Sequence, residues 1–319
     1  VVSGEITLGA LATVLAFMTM LQMPVRQLGM MINGYARAST CGARLFGLID
    51  HKSEIENALG APKLEITNGD LKVENVSFSY LESGARHVVS NISFEAHRGE
   101  TIGIIGQPGS GKTTLMHLLP RFYDPSSGSI SIDGQDIRSV TLSSLRKAVS
   151  IVQQDSFFFT TSIENNLAYA APFAKWRQIQ GAAESAQLSE FIIGLPRKYE
   201  TIVGERGVSL SGGQRQRLSI ARALISKPAI LIFDDSTAAI DAATENRIRE
   251  TLKEFSKDCV TLIVAHRLAS LMHADRILVL NQGRIIEQGS HKDLIKLGGA
   301  YSKLHKIQLN SNILIAGEK

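Results

Sequence analysis

The sequence has 319 residues, room for one large domain or two ordinary ones, and is 44% apolar and 20% charged, which excludes a collagen-like or disordered chain. Its 34 basic and 30 acidic residues are interspersed to a net charge of +4, so no basic face points to nucleic acid as a partner. Two cysteines, Cys41 and Cys259, lie far apart without metal-ligand spacing, which rules out a disulfide framework and suits the reducing cytoplasm.

The chain opens with Val1 rather than Met, as an excised piece of a longer protein would. From Ile6 to Val25 it carries no formal charge and is mostly Leu, Ala, Met, Val and Phe. At ~1.5 Å per residue such a helix spans about 30 Å, the thickness of a bilayer's hydrocarbon core. Arg26, Arg37 and Arg44 follow it, as where a helix emerges on the cytoplasmic side. Glu5 stands where a secretory signal would need basic residues. Thr7, Thr13, Thr19 and Gln22 suit a helix packed against other helices, and Pro24 marks a kink near its end. Residues Gly34–Asp50 read as a helical continuation, and His51–Asp70, with Gly60, Pro62 and Asn68-Gly69, as a connector.

Leu71, Val73, Val76, Phe78 and Tyr80 then predict a strand, and Val88–Phe94 a second one after the turn at Glu82-Ser83-Gly84. Thr101–Ile105 predicts a buried strand ending in a glycine loop, followed by a helix through Leu119. Further buried strands are predicted at Ala148–Val152, Ile230–Phe233, Val260–Val264 and Arg276–Leu280, the last ending in the turn Asn281-Gln282-Gly283. The stretch Thr141–Ile225 is richer in helix than in strand. Strands alternating with helices predict a mostly parallel α/β core.

The loop after the Thr101–Ile105 strand reads Gly106-Gln107-Pro108-Gly109-Ser110-Gly111-Lys112-Thr113-Thr114. Between a strand and a helix, this is the phosphate-binding pattern of ATP-using proteins. Its glycines let the backbone curl so that N–H groups point inward at phosphates. Lys112 supplies a cation for the β- and γ-phosphates, and the Thr113 hydroxyl is a ligand for Mg2+. The apolar run Ile230–Phe233 ends in Asp234 and Asp235, and a carboxylate at the end of a neighbouring strand can hold the Mg2+ shell.

Leu210-Ser211-Gly212-Gly213-Gln214, continued by Arg215-Gln216-Arg217, resembles letter for letter the signature of ABC ATPases. The resemblance covers the chain from about Leu71 to Gln308. It implies a P-loop NTPase (RecA-like) α/β core with an antiparallel β subdomain and a helical subdomain, behind a transmembrane α-helix. It further implies that Tyr80 stacks on adenine, that Gln154 senses the γ-phosphate and Mg2+, and that His266 is the switch histidine. Glu205 resembles the exporter-specific loop, and Asp241, in Ala238-Ala239-Ile240-Asp241, the dimer-interface loop. Gly4–Gly9, Pro24 and Arg44-Leu45-Phe46 resemble the final helix and exit of an exporter half-transporter. The implied organisation is the C-terminal end of an exporter membrane domain at 1–33, with the final helix at about 6–25, then a helical extension and linker at 34–68. The nucleotide-binding domain follows at 69–310, with a tail at 311–319.

In such exporters a pair of ATPase domains meets head to tail, with ATP held between one chain's phosphate loop and the other's signature. The resemblance therefore assigns Ser211, Gly212, Gly213 and Gln214 to ATP bound on a partner, a second ABC half-transporter, with a heterodimer favoured over a homodimer. Catalysis falls to Asp235, His266 and Gln154, and the metal to Thr113, Gln154 and Asp234. One departure stands out. The family has glutamate after the magnesium aspartate, whereas this chain has Asp235, whose carboxylate retreats by roughly 1.3 Å. A displacement of ~1 Å can cost on the order of 100-fold in rate. The pattern resembles the weak-site half of an exporter built from unlike halves. The expected function is ATP-driven export, from the cell membrane with the ATPase in the cytoplasm. The competing readings are a soluble ABC-type ATPase of a nucleic-acid or translation machine, and a regulatory half with negligible turnover.

Overall fold

A computed structural model describes residues 7–80, 87–153, 156–204, 207, 209–234, 253, 255–265 and 267–316, with backbone alone for 310–316. It resolves into two compact units, residues 1–54 and 55–319.

The first unit is one helix, α1 (Leu8–Ile49), 42 residues long. Thr7 caps it, its hydroxyl accepting the Ala10 N–H at 3.2 Å. The helix continues through Pro24 and through the residues read as its extension, and it buries none of its side chains. Thr13 and Thr40 donate their hydroxyls back to the carbonyls of Gly9 and Ala36, at 2.8 and 2.9 Å. These polar groups are thereby satisfied within the helix, as an apolar medium requires. The helix is long and apolar enough to cross a membrane.

In the second unit an antiparallel sheet of order β2-β1-β4-β5 comprises β1 (Leu71–Phe78), β2 (Val89–Ala96), β4 (Ser127–Ile132) and β5 (Gln135–Asp136). A six-stranded sheet of order β10-β9-β3-β8-β7-β6 contains β3 (Thr101–Gly106), β6 (Val149–Val152), β7 (Ile230–Asp234), β8 (Val260–Val264), β9 (Arg276–Asn281) and β10 (Arg284–Gly289). Its pairs are parallel except β9 with β10. The predicted strands are thus present, but β1 stops at Phe78, two residues short of Tyr80. The strands β4, β5 and β10 have no counterpart in the sequence reading. Their segments are rich in Ser, Gly, Gln and Arg, and pairing with an apolar neighbour, not local composition, makes them strands.

Among the described residues, α-helices between strands include α2 (Lys112–Leu118), α3 (Leu142–Ala148), α4 (Ile163–Ala168), α5 (Trp176–Ser185), α6 (Ser189–Ile193) and α7 (Gly212–Leu224). They are followed at the end by α8 (His291–Leu297) and α9 (Ala300–Ala316). Five of them, α3 to α7, lie within Thr141–Ile225, the stretch read as richer in helix than in strand. Side chains alternate across a strand, and the six-stranded sheet uses both faces. On β7, Ile230 and Ile232 join a core with Val73, Ile92 and Leu115, while Leu231 and Phe233 join the helical layer with Ile163, Ile179 and Leu218. On β9, Leu278 and Leu280 join the first core, whereas Ile277 and Val279 pack against Leu294 of α8 and Tyr301 of α9.

The connector is docked along the domain. Asp133, in the β4–β5 turn, accepts the backbone N–H groups of Thr67, Asn68, Gly69 and Asp70 at 2.8 to 3.2 Å. Burial raises the Asp133 pKa, but these donors outweigh it and hold the carboxyl below its ordinary value. Asn57 accepts from Leu142, and Ser144 from Leu64, extending the seam toward the membrane side of the sequence.

Candidate nucleotide-binding site

The phosphate loop grows out of the carboxyl end of β3, a strand flanked on both sides by parallel neighbours. Gly106 is needed for space: a Cβ there would collide with the Leu280 carbonyl oxygen and lie 2.6 Å from Ser110 Oγ. Gly111 is needed for both space and conformation, with φ +97° and only 2.5 Å between an added Cβ and the Val88 carbonyl oxygen. The loop is clasped from outside by the predicted turn between β9 and β10. Gly283 N–H donates to the Ser110 carbonyl at 3.1 Å, and Gly283 O accepts from Ser90 at 2.8 Å. Bracing of this kind is what preorganised anion binding requires.

Lys112 is 5% exposed, and its ammonium donates to the Gly106 and Gln107 carbonyls at 2.9 and 3.1 Å. The cation is therefore held inside the ring of the loop. An ammonium has three donors, so it can retain a loop carbonyl while facing a phosphate oxygen. The Ser110 hydroxyl is buried with no hydrogen-bond partner among the described residues, a polar atom that a phosphate oxygen would satisfy. Thr113 is exposed on the first turn of α2, and Thr114 is buried.

Tyr80 reaches this helix from the end of the antiparallel sheet. Its hydroxyl and Thr114 Oγ1 are 3.0 Å apart, and its ring stands edge-on to Phe78 and Tyr123. Asp234 ends β7 in register with Val264 of β8, and β8 pairs with β3. Parallel strands bring their carboxyl ends to one edge of the sheet, which puts this carboxylate on the same side as the phosphate loop. Thr113 and Asp234 offer hard oxygen donors of the kind Mg2+ prefers.

The signature lies elsewhere, in the helical layer. Ser211 caps α7, its Oγ accepting the Gln214 N–H at 3.3 Å while Gln214 Oε1 accepts the Ser211 N–H at 2.8 Å. This reciprocal capping box aims the first turn, including Gly212 and Gly213. Arg215 steadies the preceding loop through the Leu210 carbonyl at 2.7 Å. Gln154, Glu205, Asp235, Asp241 and His266 lie outside the described residues.

Sequence reasoning missed Arg222. From α7 its guanidinium donates to the Asn166 and Phe157 carbonyls at 2.9 and 2.8 Å and to Asn166 Oδ1 at 2.9 Å, with its charge 4.6 Å from the Phe158 ring centre. Burial lowers its pKa to about 10, so it stays charged at neutral pH. Asn166 is fully buried and bonds in turn to Phe159 and Ser162. The pair thus ties the segment after β6 to the helix that carries the signature. Its only sequence signal was a lone arginine among apolar residues.

A glycine loop between a parallel strand and a helix, with an enclosed lysine and a strand-end carboxylate, defines a P-loop nucleotide-binding domain. Residues 89–238 match the profile of the ABC transporter family. It is 42% identical over 307 residues to a Staphylococcus aureus protein assigned by name as a multidrug export ATP-binding/permease protein, covering 96% of this chain and 53% of that one. It is 41% identical over 308 residues to YknU of Bacillus subtilis, named as an uncharacterized ABC transporter ATP-binding protein, covering 97% and 52%. A solved bacterial Atm1-family ABC exporter with ATP bound superposes with a TM-score of 0.81 at 41% identity, over 96% of this chain and 53% of that one. The chain spans about half the length of the curated relatives it matches.

Proposed function

We propose that this chain is the ATP-binding and ATP-hydrolysing part of an ABC exporter, coupling ATP to the movement of a substrate across the cell membrane. The observation that carries the reading is the braced Gly106–Thr114 loop, with Lys112 enclosed in it and the Tyr80 hydroxyl beside its Thr114, in a chain that also carries a helix of membrane-crossing length. In this reading α1 belongs to the end of a membrane domain at 1–33 and runs into the extension and linker at 34–68. The nucleotide-binding domain at 69–310 lies in the cytoplasm, followed by the tail at 311–319.

Lys112 and the loop N–H groups hold the phosphates, and Tyr80 the adenine. Thr113, Asp234 and Gln154 would hold Mg2+, which when bound would neutralise phosphate charge. Asp235 orients the attacking water and takes up its proton, and His266 steadies the reacting phosphate. Ser211, Gly212, Gly213 and Gln214 serve ATP on a partner half-transporter. Asp235 is one methylene shorter than the family's glutamate, so this chain is the weak-site half of a heterodimer, lending a sound signature to its partner.

The test has two arms. Lys112→Ala in the full-length protein should remove most ATP affinity by calorimetry, and the protein should resist carbonate extraction from membranes. Unchanged affinity would sink the nucleotide assignment, and release by carbonate would sink the membrane assignment.

A further inference from the structure

Resting on the nucleotide reading above, the geometry points to Tyr123 as a positioning residue for the adenine platform, a role that no motif in the chain assigns. Tyr80 lies beyond the last residue of β1 and is 52% exposed, so no strand pairing fixes its ring. A tyrosine ring at an open edge turns about two side-chain torsions, and a stacking platform needs one setting of both. Three contacts supply it. The buried Phe78 meets the Tyr80 ring at 4.9 Å between centres and 84° between planes. Tyr123 meets it from another element at 5.2 Å and 88°. The hydroxyl is tied to Thr114 Oγ1 on α2. Tyr123 also touches Phe78 at 5.5 Å, closing an aromatic triangle.

The triangle holds Tyr80 only if Tyr123 is itself held. It sits between α2 and β4, a stretch with no regular structure of its own apart from a turn. Arg121, only 6% exposed, donates to both carboxylate oxygens of Asp124 at 2.7 and 3.1 Å, bracketing Tyr123 in sequence. Arg146 of α3 donates to the carbonyls of Pro120 and Arg121 at 3.2 and 3.0 Å. A bidentate arginine–carboxylate pair adds geometric definition as well as energy. Tyr123 is therefore a fixed buttress and Tyr80 the ring that leans on it. Through Thr114 the same ring touches the helix that follows the phosphate loop, while the loop itself is braced separately by Gly283.

The experiment compares ligands with and without a base. The full-length protein in detergent is titrated with a non-hydrolysable ATP analogue and with inorganic tripolyphosphate, both with Mg2+. Tyr123→Leu should weaken the ATP analogue about 3- to 10-fold, the usual worth of an aromatic pair, and leave tripolyphosphate unchanged. Tyr123→Phe keeps the ring and should keep both affinities. Tyr80→Leu should lose at least as much as Tyr123→Leu, and the double variant should lose no more than Tyr80→Leu. Equal losses for both ligands would mean that Tyr123 merely supports the fold, and unchanged ATP-analogue affinity would mean that it supports nothing at the site. Either overturns the assignment. Wild-type protein that binds neither ligand would overturn the nucleotide reading first and this inference with it.

Discussion

Replacing Ser211 by aspartate separates two jobs that the signature serine holds at once. In the folded chain Ser211 caps α7, its Oγ accepting the Gln214 N–H at 3.3 Å. Aspartate is as good an N-cap as serine, and its charge gains about 0.3–1 kcal/mol from the helix dipole. The other half of the capping box, Gln214 Oε1 accepting the Ser211 N–H at 2.8 Å, uses the backbone and survives substitution by aspartate or asparagine. Folding stability should therefore stay level or rise slightly. If Ser211 faces phosphate across a dimer interface, the same carboxylate sets charge against charge. At ~4 Å and an effective dielectric constant of about 20, each such pair costs ~4 kcal/mol, on the order of a 1,000-fold loss. Ser211→Asn keeps the cap without the charge and serves as the control. The assay is ATP turnover by the assembled transporter, with thermal unfolding measured in parallel. Turnover by Ser211→Asp within about threefold of Ser211→Asn would refute the role in trans and leave Ser211 a helix cap.

Asp235→Glu restores reach to the shortened acid. Turnover by a pair of these chains should rise on the order of 100-fold if reach is limiting, and fast wild-type turnover abolished by Asp235→Asn would instead mark a working aspartate in a homodimer. Gly111→Ala should lower the unfolding temperature, because its φ of +97° and the Val88 carbonyl 2.5 Å from the new Cβ together cost roughly 2–4 kcal/mol. An unchanged melting curve would mean that the loop relaxes freely. Asp133 has a folded pKa below its unfolded one, so its contribution to stability is present above the ordinary carboxylate range and is lost as pH falls through the lower folded value. Wild type should thus exceed Asp133→Asn in stability at neutral pH, with the gap closing in acid. A gap independent of pH would remove the charge from the explanation.

Much of the engine was legible because its signals are local. The phosphate loop needs its glycines, lysine and threonines in one unbroken string, and the strands β3, β7, β8 and β9 are apolar runs because they lie inside a sheet covered on both faces. The length and composition of the opening helix follow from the solvent it is made for, although the chain continues as helix to Ile49, well past the residues needed to cross a bilayer. Other assignments, those of Gln154, Asp235, His266 and the signature's service to a partner, came from resemblance, since none of those residues carries its chemistry in its immediate neighbours.

The tertiary structure decided what depends on partners distant in sequence. Asp133 shapes the connector through the Gly69 N–H, 64 residues away, and Arg222 grips Asn166 across 56. Tyr123 meets Tyr80 only because α2 and the antiparallel sheet converge on the same corner. The strand β4, Ser127–Ile132, has no strand signal of its own in the sequence and forms because Ile130 and Ile132 find the core that β1 shares with them. A sequence shows a periodicity or a motif where neighbouring residues act together. Where function rests on a hydrogen bond, ring contact or sheet edge between separate elements, only closing the chain on itself creates the pair, because the energy of each contact exists only once the entropy of bringing its ends together has been overcome.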